Sequence, residues 1–429
     1  MKRLRILQVG DIHFPWSENV APRADFGTSP DNISVVSSSL KTPGVALNKL
    51  AASIRNICDP KPDLVVFVGD FTVKGDPDNL DKAVKYCLNG LLKPIFSQEE
   101  ISERVLFVPG NHDVTRPVEG STDPYEKFET YRLAMENNGI TNHSTRNFGR
   151  VTVPVSGSTV SALGINTCLG CGEFRALPSK LRTAISEAIN GYHIPATAPK
   201  LIEDVSEIAE QLDMPLLDRK DIDGLDVELT GIHGKSPIIV GHHNLLPQKE
   251  TRVLPYGELI NSGVLREVLA TKDYPVLYLH GHIHSDPIEL IRDPLHHDGG
   301  ILSISAPMIT DGVNIVDLYL DADLEPIGVD IIPWRFSPTL QLVRNRSLRI
   351  SMAHGENRLA SLPEEARRIF RYLVHAGDAA HRHLSQLSDE LGLDIDLIAR
   401  NCEALSWAGL VHVANAHKSP PKWDIRLAI

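Results

Sequence analysis

The stretch "LYLHGHIHSD", residues 277–286, places His280, His282 and His284 within five residues at the end of an apolar run. Buried strands do not normally end in stacked imidazoles. His282 and His284 are two residues apart, so in an extended segment both project to one side, where they can converge on one ion. Comparable residues close four other apolar runs. Asp11 and His13 follow "LRILQVG", Asp70 ends "DLVVFVGD", Asn111, His112 and Asp113 end "RVLFVPGNHD", and His242 and His243 end "SPIIVGHH". "DIH" or "VGD" alone is a common tripeptide, and "VGD" usually marks a cap or turn. "GNHD" directly after a buried strand is rarely needed for packing, and the ordered recurrence of all these endings points to metal binding. Carboxylate, imidazole and amide oxygen form a borderline-hard ligand set suited to Mn, Fe or Zn rather than Ca or Cu(I). An Asp can bridge two cations, and two cations about 3.5–4 Å apart clamp a phosphate and lower the pKa of a bound water.

The elements that must present these residues are short Val/Ile/Leu runs, which read as strands buried on both faces. Between them lie helical patterns such as "GVALNKLAASIRNIC" (44–58) and "NLDKAVKYCLNGLL" (79–92), with apolar residues at three- and four-residue spacing. Alternation of strand and helix predicts a layered α/β core. The candidate ligands then project from loops along one edge of a parallel sheet, beyond the carboxyl ends of its strands. Residues 145–168 read as a turn into strands. The span from about 173 to 230 is polar and helical, with "PSKLRTAISEAINGY" and "APKLIEDVSEIAEQL" as candidate helices, and reads as an insertion over one edge that could act as a lid. "GILSISAP", "NIVDLYL" and "PIGVDIIPWRF" read as further strands.

Composition changes at 337–360, a polar and basic stretch read as a linker after a first domain of 1–336. Beyond it, at 361–429, "LPEEARRIFRYLVHAG", "HLSQLSDELGL" and "DIDLIARNCEALSWAGLV" are helical patterns, and "LVHVAN" with "KWDIRLA" reads as a closing hairpin. That order predicts a smaller winged-helix-like α+β domain. Its proposed recognition helix sets Arg400 against Asp394, Asp396 and Glu403, a poor partner for phosphate, so protein contact or self-association is favoured over DNA. Arg344, Arg346 and Arg349 could contact nucleic acid, although charge runs are usually solvated.

The chain has 429 residues, 42% hydrophobic and 23% charged, as in an ordinary soluble protein. A formal net charge of −12 argues against general nucleic-acid coating. Five irregularly spaced cysteines do not suggest a disulfide framework. Cys168 and Cys171 form a C-x-x-C without a second pair, read as a turn bordering the site rather than a zinc ligand set. His296 and His297 read as solvated turn residues. The basic N-terminus lacks a signal-peptide core, and no run approaches the roughly 20 apolar residues of a membrane span, so the expected setting is cytoplasmic, without membrane contact.

Taken in order, these motifs resemble the calcineurin-like metallophosphoesterase superfamily, whose pattern runs D-x-H, GD, GNH-[DE], H, GH-x-H. The resemblance covers residues from about 4 to 335 and implies an α-β-β-α sandwich with two divalent metal ions, Mn first and Fe or Zn as alternatives. It implies that Asp11, His13, Asp70 and His284 hold one ion, while Asp70, Asn111, His242 and His282 hold the other, with Asp70 as the bridge. His112 would serve the leaving-group oxygen and Asp113 would orient His112. The family often reads His-His-Pro at this point with the first His as ligand, which favours His242 over His243, while "HHN" in this chain departs from the proline. His280 is expected to remain a strand residue.

The implied reaction is in-line displacement at phosphorus by a hydroxide held between the metals. "GDFTVKG" after the second run resembles phosphodiesterases more than the Asp-Arg-Gly pattern of protein phosphatases, and "GNHD" stands where those phosphatases carry Glu. A phosphodiesterase acting on a cyclic nucleotide, small diester or nucleic acid is therefore the leading expectation. The alternatives are a metal-dependent nuclease, a phosphomonoesterase or protein phosphatase, and a non-catalytic binding or regulatory protein, the last disfavoured because every ligand position is filled.

Overall fold

The computed structural model describes residues 2–14, 43–73, 75–115, 123–155, 157–171, 215–229, 237–247, 258–284, 287–292, 299–321, 323–352, 362–376, 382–416 and 418–427. The strands are β1 (Lys2–Val9), β2 (Leu64–Phe67), β3 (Val105–Phe107), β4 (Gly149–Val155), β5 (Ser158–Gly164) and β6 (Ile238–Val240). Next come β7 (Pro275–His280), β8 (Ile288–Ile291), β9 (Gly300–Ser305), β10 (Gly312–Leu320) and β11 (Pro326–Phe336). The remainder are β12 (Leu342–Arg344), β13 (Leu348–Ser351), β14 (Arg382–His383), β15 (Val411–Ala414) and β16 (Asp424–Leu427).

Alternation within the buried runs sorts side chains between layers. In β1, Leu4 and Ile6 join one apolar cluster, while Leu7 and Val9 join another. The first cluster lies between two sheets, where Leu4, Ile6, Val66 and Val68 meet Val240, Leu277, Leu279 and Ile304. One sheet has the order β12-β11-β10-β1-β2-β3, with β13 also on β11, and the other has β4-β5-β6-β7-β9-β8. Each sheet's outer face is covered by helices. Leu7, Val65, Phe67 and Phe107 pack on helices Pro43–Ile57, Pro77–Tyr86, Gln98–Arg104 and Glu129–Asn137. Ile239, Tyr278 and Ile301 pack on helices Arg219–Leu229 and Ser262–Ala270. The layers therefore run helix, sheet, sheet, helix. Each fully buried Leu, Ile, Val or Phe contributes about 1.5–3 kcal/mol, so burial on both faces holds the strand ends firmly.

Gln8 and Asn314, paired between β1 and β10, are buried polar residues beside the inner layer. Gln8 Nε2 donates to the carbonyls of His280 (3.1 Å) and Ile304 (3.0 Å), and its Oε1 accepts from Asn314 Nδ2 at 3.2 Å. It ties β1 to the facing sheet beside the loops that carry the candidate ligands.

The structure has the two facing sheets that the resemblance implies, and departs from the expectation that all candidate ligands lie along one edge of a parallel sheet. The candidate ligands leave β1, β2 and β3 in one sheet and β6 and β7 in the other, and both sheets mix parallel and antiparallel pairs. Within the span expected as a linker, β12 and β13 pair with β11, so the chain stays in the sheet as far as Ser351. The cause is pairing with an 11-residue strand long enough to seat both segments along one edge. Of the insertion at about 173–230, the two candidate helices lie outside the described residues, as do His296 and His297. Ile222, Leu225 and Leu229 of its final helix are packed into the outer layer of the second sheet.

After β13 come helices Glu364–Ala376, Leu384–Leu391 and Ile395–Trp407, with a small antiparallel sheet β14-β16-β15. They share a core of Ile369, Leu373, Leu387, Ile398, Leu405 and Ile425. Asp394 caps the last helix by accepting the N–H groups of Asp396 and Leu397. Trp407, at that helix's end, leaves this core and packs on the larger sheet. Its ring lies 4.0 Å from that of Tyr319 and 4.3 Å from the Arg349 guanidinium carbon. A Cβ at Gly328 would stand 2.3 Å from the Trp407 ring, so only glycine admits it. Arg349, expected to be free for nucleic acid, is held by Asp330 in two hydrogen bonds of 3.0 and 2.9 Å. Among the described residues no helix is long and apolar enough to cross a membrane.

Candidate metal centre

The loops beyond the strands turn sharply. Asp11, His13, Asp70, His282 and His284 have φ of +37°, +51°, +54°, +70° and +52°. Side-chain-bearing residues rarely adopt this conformation, and each instance costs about 1–3 kcal/mol where the surroundings impose it. The N–H groups of Ile12 and His13 both donate to the Asp70 carbonyl at 2.8 Å, which locks the turn after β1 to the turn after β2. A Cβ at Gly110 would stand 2.0 Å from Asp70 Oδ1, so the loop after β3 approaches that carboxylate as only glycine allows.

Two groups of donor atoms result. Asp11, His13, Asp70 and His284 offer atoms that all lie within 4.8 Å of one another. His13 Nε2 is 3.0 Å from His284 Nε2 and 3.7 Å from Asp70 Oδ2, and His284 Nε2 is 3.7 Å from Asp11 Oδ1. In the second group, Asn111 Oδ1 lies 2.9 Å from His242 Nε2 and 3.2 Å from His282 Nδ1, and His242 Nε2 is 3.4 Å from Asp70 Oδ2. Asp70 Oδ2 is common to both.

Among the described residues the fully buried Asp70 Oδ2 accepts no hydrogen bond, whereas Oδ1 takes the His112 N–H at 3.0 Å. A bare buried carboxylate oxygen is costly unless a cation meets it. Burial pushes the Asp70 carboxyl up, but the imidazoles of His242, His112 and His13 outweigh this and hold it well below the usual range. The donor set, with an oxygen shared between nitrogen- and oxygen-rich groups, fits two divalent cations.

His112 stands at the edge of the first group, its ring 5.1 Å from that of His13. Its expected orientation by Asp113 is not what the structure has. Asp113 accepts the N–H groups of Gly110 (2.9 Å) and Thr72 (3.0 Å), while His112 Nδ1 donates to the Val73 carbonyl at 2.9 Å. The three-residue turn Asn111–Asp113 folds the carboxylate back on its own start, so it holds the loop rather than the imidazole. Burial and the neighbouring Asp70 charge push Asp113 up to about 7.

His280 is the last residue of β7. Its ring stacks on Tyr278, and burial pushes its pKa down to about 4. His242 and His243 diverge. His242 faces Asn111 and Asp70, whereas His243 Nδ1 meets the Thr167 hydroxyl at 2.9 Å. His243 also shares one group with His242 and His282 and another with Cys168 and Cys171. The Val68 carbonyl takes the Nδ1–H of His242 at 2.7 Å; this role and those of Val73 and Thr167 left no mark in the sequence, because two act through backbone carbonyls and the third is an ordinary threonine after a strand.

Residues 4–286 match the family model for calcineurin-like phosphoesterases. No curated protein matches the chain. Among solved structures, a dimetal phosphatase from Danio rerio is similar with a TM-score of 0.44 and 13% identity over 82% of this chain and 99% of that one. A 5'-nucleotidase precursor from Thermus thermophilus is similar with a TM-score of 0.39 and 12% identity over 87% of this chain and 59% of that one. The NAD nucleotidase of Haemophilus influenzae has a TM-score of 0.35 and 10% identity over 82% of this chain and 56% of that one. This chain thus spans under two thirds of both nucleotidases. With about two thirds of its length matched by the family model and the His/Asp groups brought together at the strand ends, the chain belongs to the calcineurin-like phosphoesterase family and is a metal-dependent phosphoester hydrolase.

Proposed function

We propose that the substrate is a phosphodiester, a cyclic nucleotide or another small diester ahead of nucleic acid, and that manganese is the working metal. The ions would be held by Asp11, His13, Asp70 and His284 on one side and by Asp70, Asn111, His242 and His282 on the other. When bound, they supply positive charge at the phosphoryl oxygens and a water of lowered pKa. The protein's own part is placement. The carbonyl of Val73 takes the Nδ1–H of His112, so Nε2 is the nitrogen left to deliver a proton to the leaving-group oxygen.

The observation that carries the diester reading is the interlock of the two motifs that depart from the protein-phosphatase pattern. Thr72 N–H donates to Asp113 Oδ1 at 3.0 Å, Thr72 Oγ1 donates to the His112 carbonyl at 3.0 Å, and Gly75 N–H donates to Thr72 Oγ1 at 2.9 Å. Among the described residues this unit carries no arginine beside Asp70. A terminal phosphate dianion is commonly clamped by such an arginine, whereas a diester bears one negative charge less.

Residues 1–336 are read as the catalytic domain and 361–429 as a winged-helix-like module. Protein contact or self-association is favoured over DNA for that module, because the helix that would read a groove is acidic and its end is docked through Trp407. The test is hydrolysis of bis-p-nitrophenyl phosphate and p-nitrophenyl phosphate by manganese-loaded protein, beside Asp70→Ala, followed by single-stranded DNA. Diester turnover lost in the variant supports the reading. Monoester-only turnover overturns it in favour of a phosphatase, and added DNA cleavage would make the enzyme a nuclease.

A further inference from the structure

We infer that Cys168, Cys171 and His243 form a third cation site, taking a thiophilic divalent ion of the zinc class, against the back wall of the metal pair.

The donor atoms of the three residues lie within 4.8 Å of one another, and all three residues are buried. Cys168 Sγ is 3.9 Å from His243 Nδ1, and Cys171 Sγ is 4.0 Å from His243 Nε2. The Thr167 hydroxyl accepts the N–H groups of His242 and His243 at 3.2 Å and donates to Nδ1 at 2.9 Å, so an ion ligated through Nε2 would take the place of the ring proton. The two cysteines are brought together by a tight turn, with the Cys171 N–H donating to the Cys168 carbonyl at 2.9 Å. The buried Lys127 ammonium holds that turn, donating to the carbonyls of Leu169 and Cys171.

Zinc–sulfur and zinc–nitrogen bonds of about 2.3 and 2.0 Å put the ligand atoms of a tetrahedral site roughly 3.5 Å apart. The donor atoms, all within 4.8 Å of one another, would have to draw together by up to about 1.3 Å to reach that geometry. A water can complete the fourth position. Soft thiolates select zinc where the neighbouring oxygen and nitrogen groups suit manganese, so one chain sorts two kinds of ion. The His243 ring stands 4.8 Å from that of His242 and 4.5 Å from that of His282, so an ion here would brace two ligands of the metal pair from behind.

The test uses reduced, chelator-stripped, full-length protein titrated with Co2+ alone. Sulfur-to-cobalt charge transfer absorbs in the near ultraviolet, and the Asp/His/Asn centre has no sulfur to produce it. The expected result is a charge-transfer band that saturates with one cobalt per chain and is bleached by Zn2+. It should be lost in Cys168→Ser/Cys171→Ser together with one equivalent of bound cobalt. No such band in the wild-type protein overturns the proposal without need of any variant. So does a band that persists in the double variant, which would assign it to Cys58, Cys87 or Cys402. Cobalt bound by the Asp/His/Asn centre is counted separately as metal without this band, so failure here leaves the phosphodiesterase reading standing.

Discussion

The Nδ1–H of His242 donates to the carbonyl of Val68 across 2.7 Å, joining residues 174 apart in the chain. A carbonyl only accepts, so this bond sets the tautomer and turns the Nε2 lone pair toward Asn111 and Asp70. On the ligand set proposed above, His242→Ala removes a ligand rather than an outer-shell partner. The expected result is loss of one metal equivalent and a fall in diester hydrolysis larger than the about 10–100-fold typical of outer-shell losses. Metal analysis of the purified variant beside its turnover rate checks this. Full metal content with unchanged turnover would remove His242 from the centre.

Gly110→Ala tests the close approach of the loop after β3 to Asp70. The added Cβ would meet Asp70 Oδ1 at 2.0 Å and Asp70 N at 2.2 Å, so backbone must move. Overpacking of this kind costs about 1–3 kcal/mol, and the displaced Asp70 carboxylate should bind manganese more weakly. Urea unfolding and a manganese titration measure both effects, and a variant with wild-type values in each would contradict the geometry.

His280 gives stability a pH dependence. Burial lowers its pKa in the folded chain to about 4, against an ordinary value of 6.5. Between those values the unfolded chain binds the extra proton, so stability is full above the upper value and declines as pH falls toward the lower one. The whole difference is on the order of 3 kcal/mol. Chelator-treated protein, which excludes loss of stability through metal release, should therefore weaken across this window more than His280→Leu does. Parallel stability curves for the two would refute the assignment.

Trp407→Ala empties the contact with Tyr319, Gly328 and Arg349. Truncation of a buried aromatic costs about 3–5 kcal/mol, so limited proteolysis should release the C-terminal module more readily. Tyr319 pairs with Arg3 at the start of β1, whereas Asp11 lies beyond that strand's other end. Turnover of a small diester should consequently be unchanged, and a parallel loss of turnover would mean that the module supports the metal centre.

Local chemistry wrote much of this protein into its sequence. Apolar runs such as "DLVVFVGD" mark strands because residues buried on both faces must be apolar, and polar residues at their ends stand out against them. Asp11, Asp70, Asn111 and His282 could therefore be picked out together, through their ordered recurrence at the ends of these runs. Helices such as Pro43–Ile57 were legible from their spacing for the same reason. Which strands pair, however, depends on closure between distant segments. Hence which candidate ligands each of the two facing sheets carries, and the recruitment of β12 and β13 to β11, appear only in the folded chain. Contacts made by backbone carbonyls carry no side-chain signature, so the orientation of His112 by Val73 and of His242 by Val68 belongs to tertiary structure. The same holds for His243, which meets Cys168 and Cys171, 75 and 72 residues before it in sequence, only because β5 and β6 lie side by side.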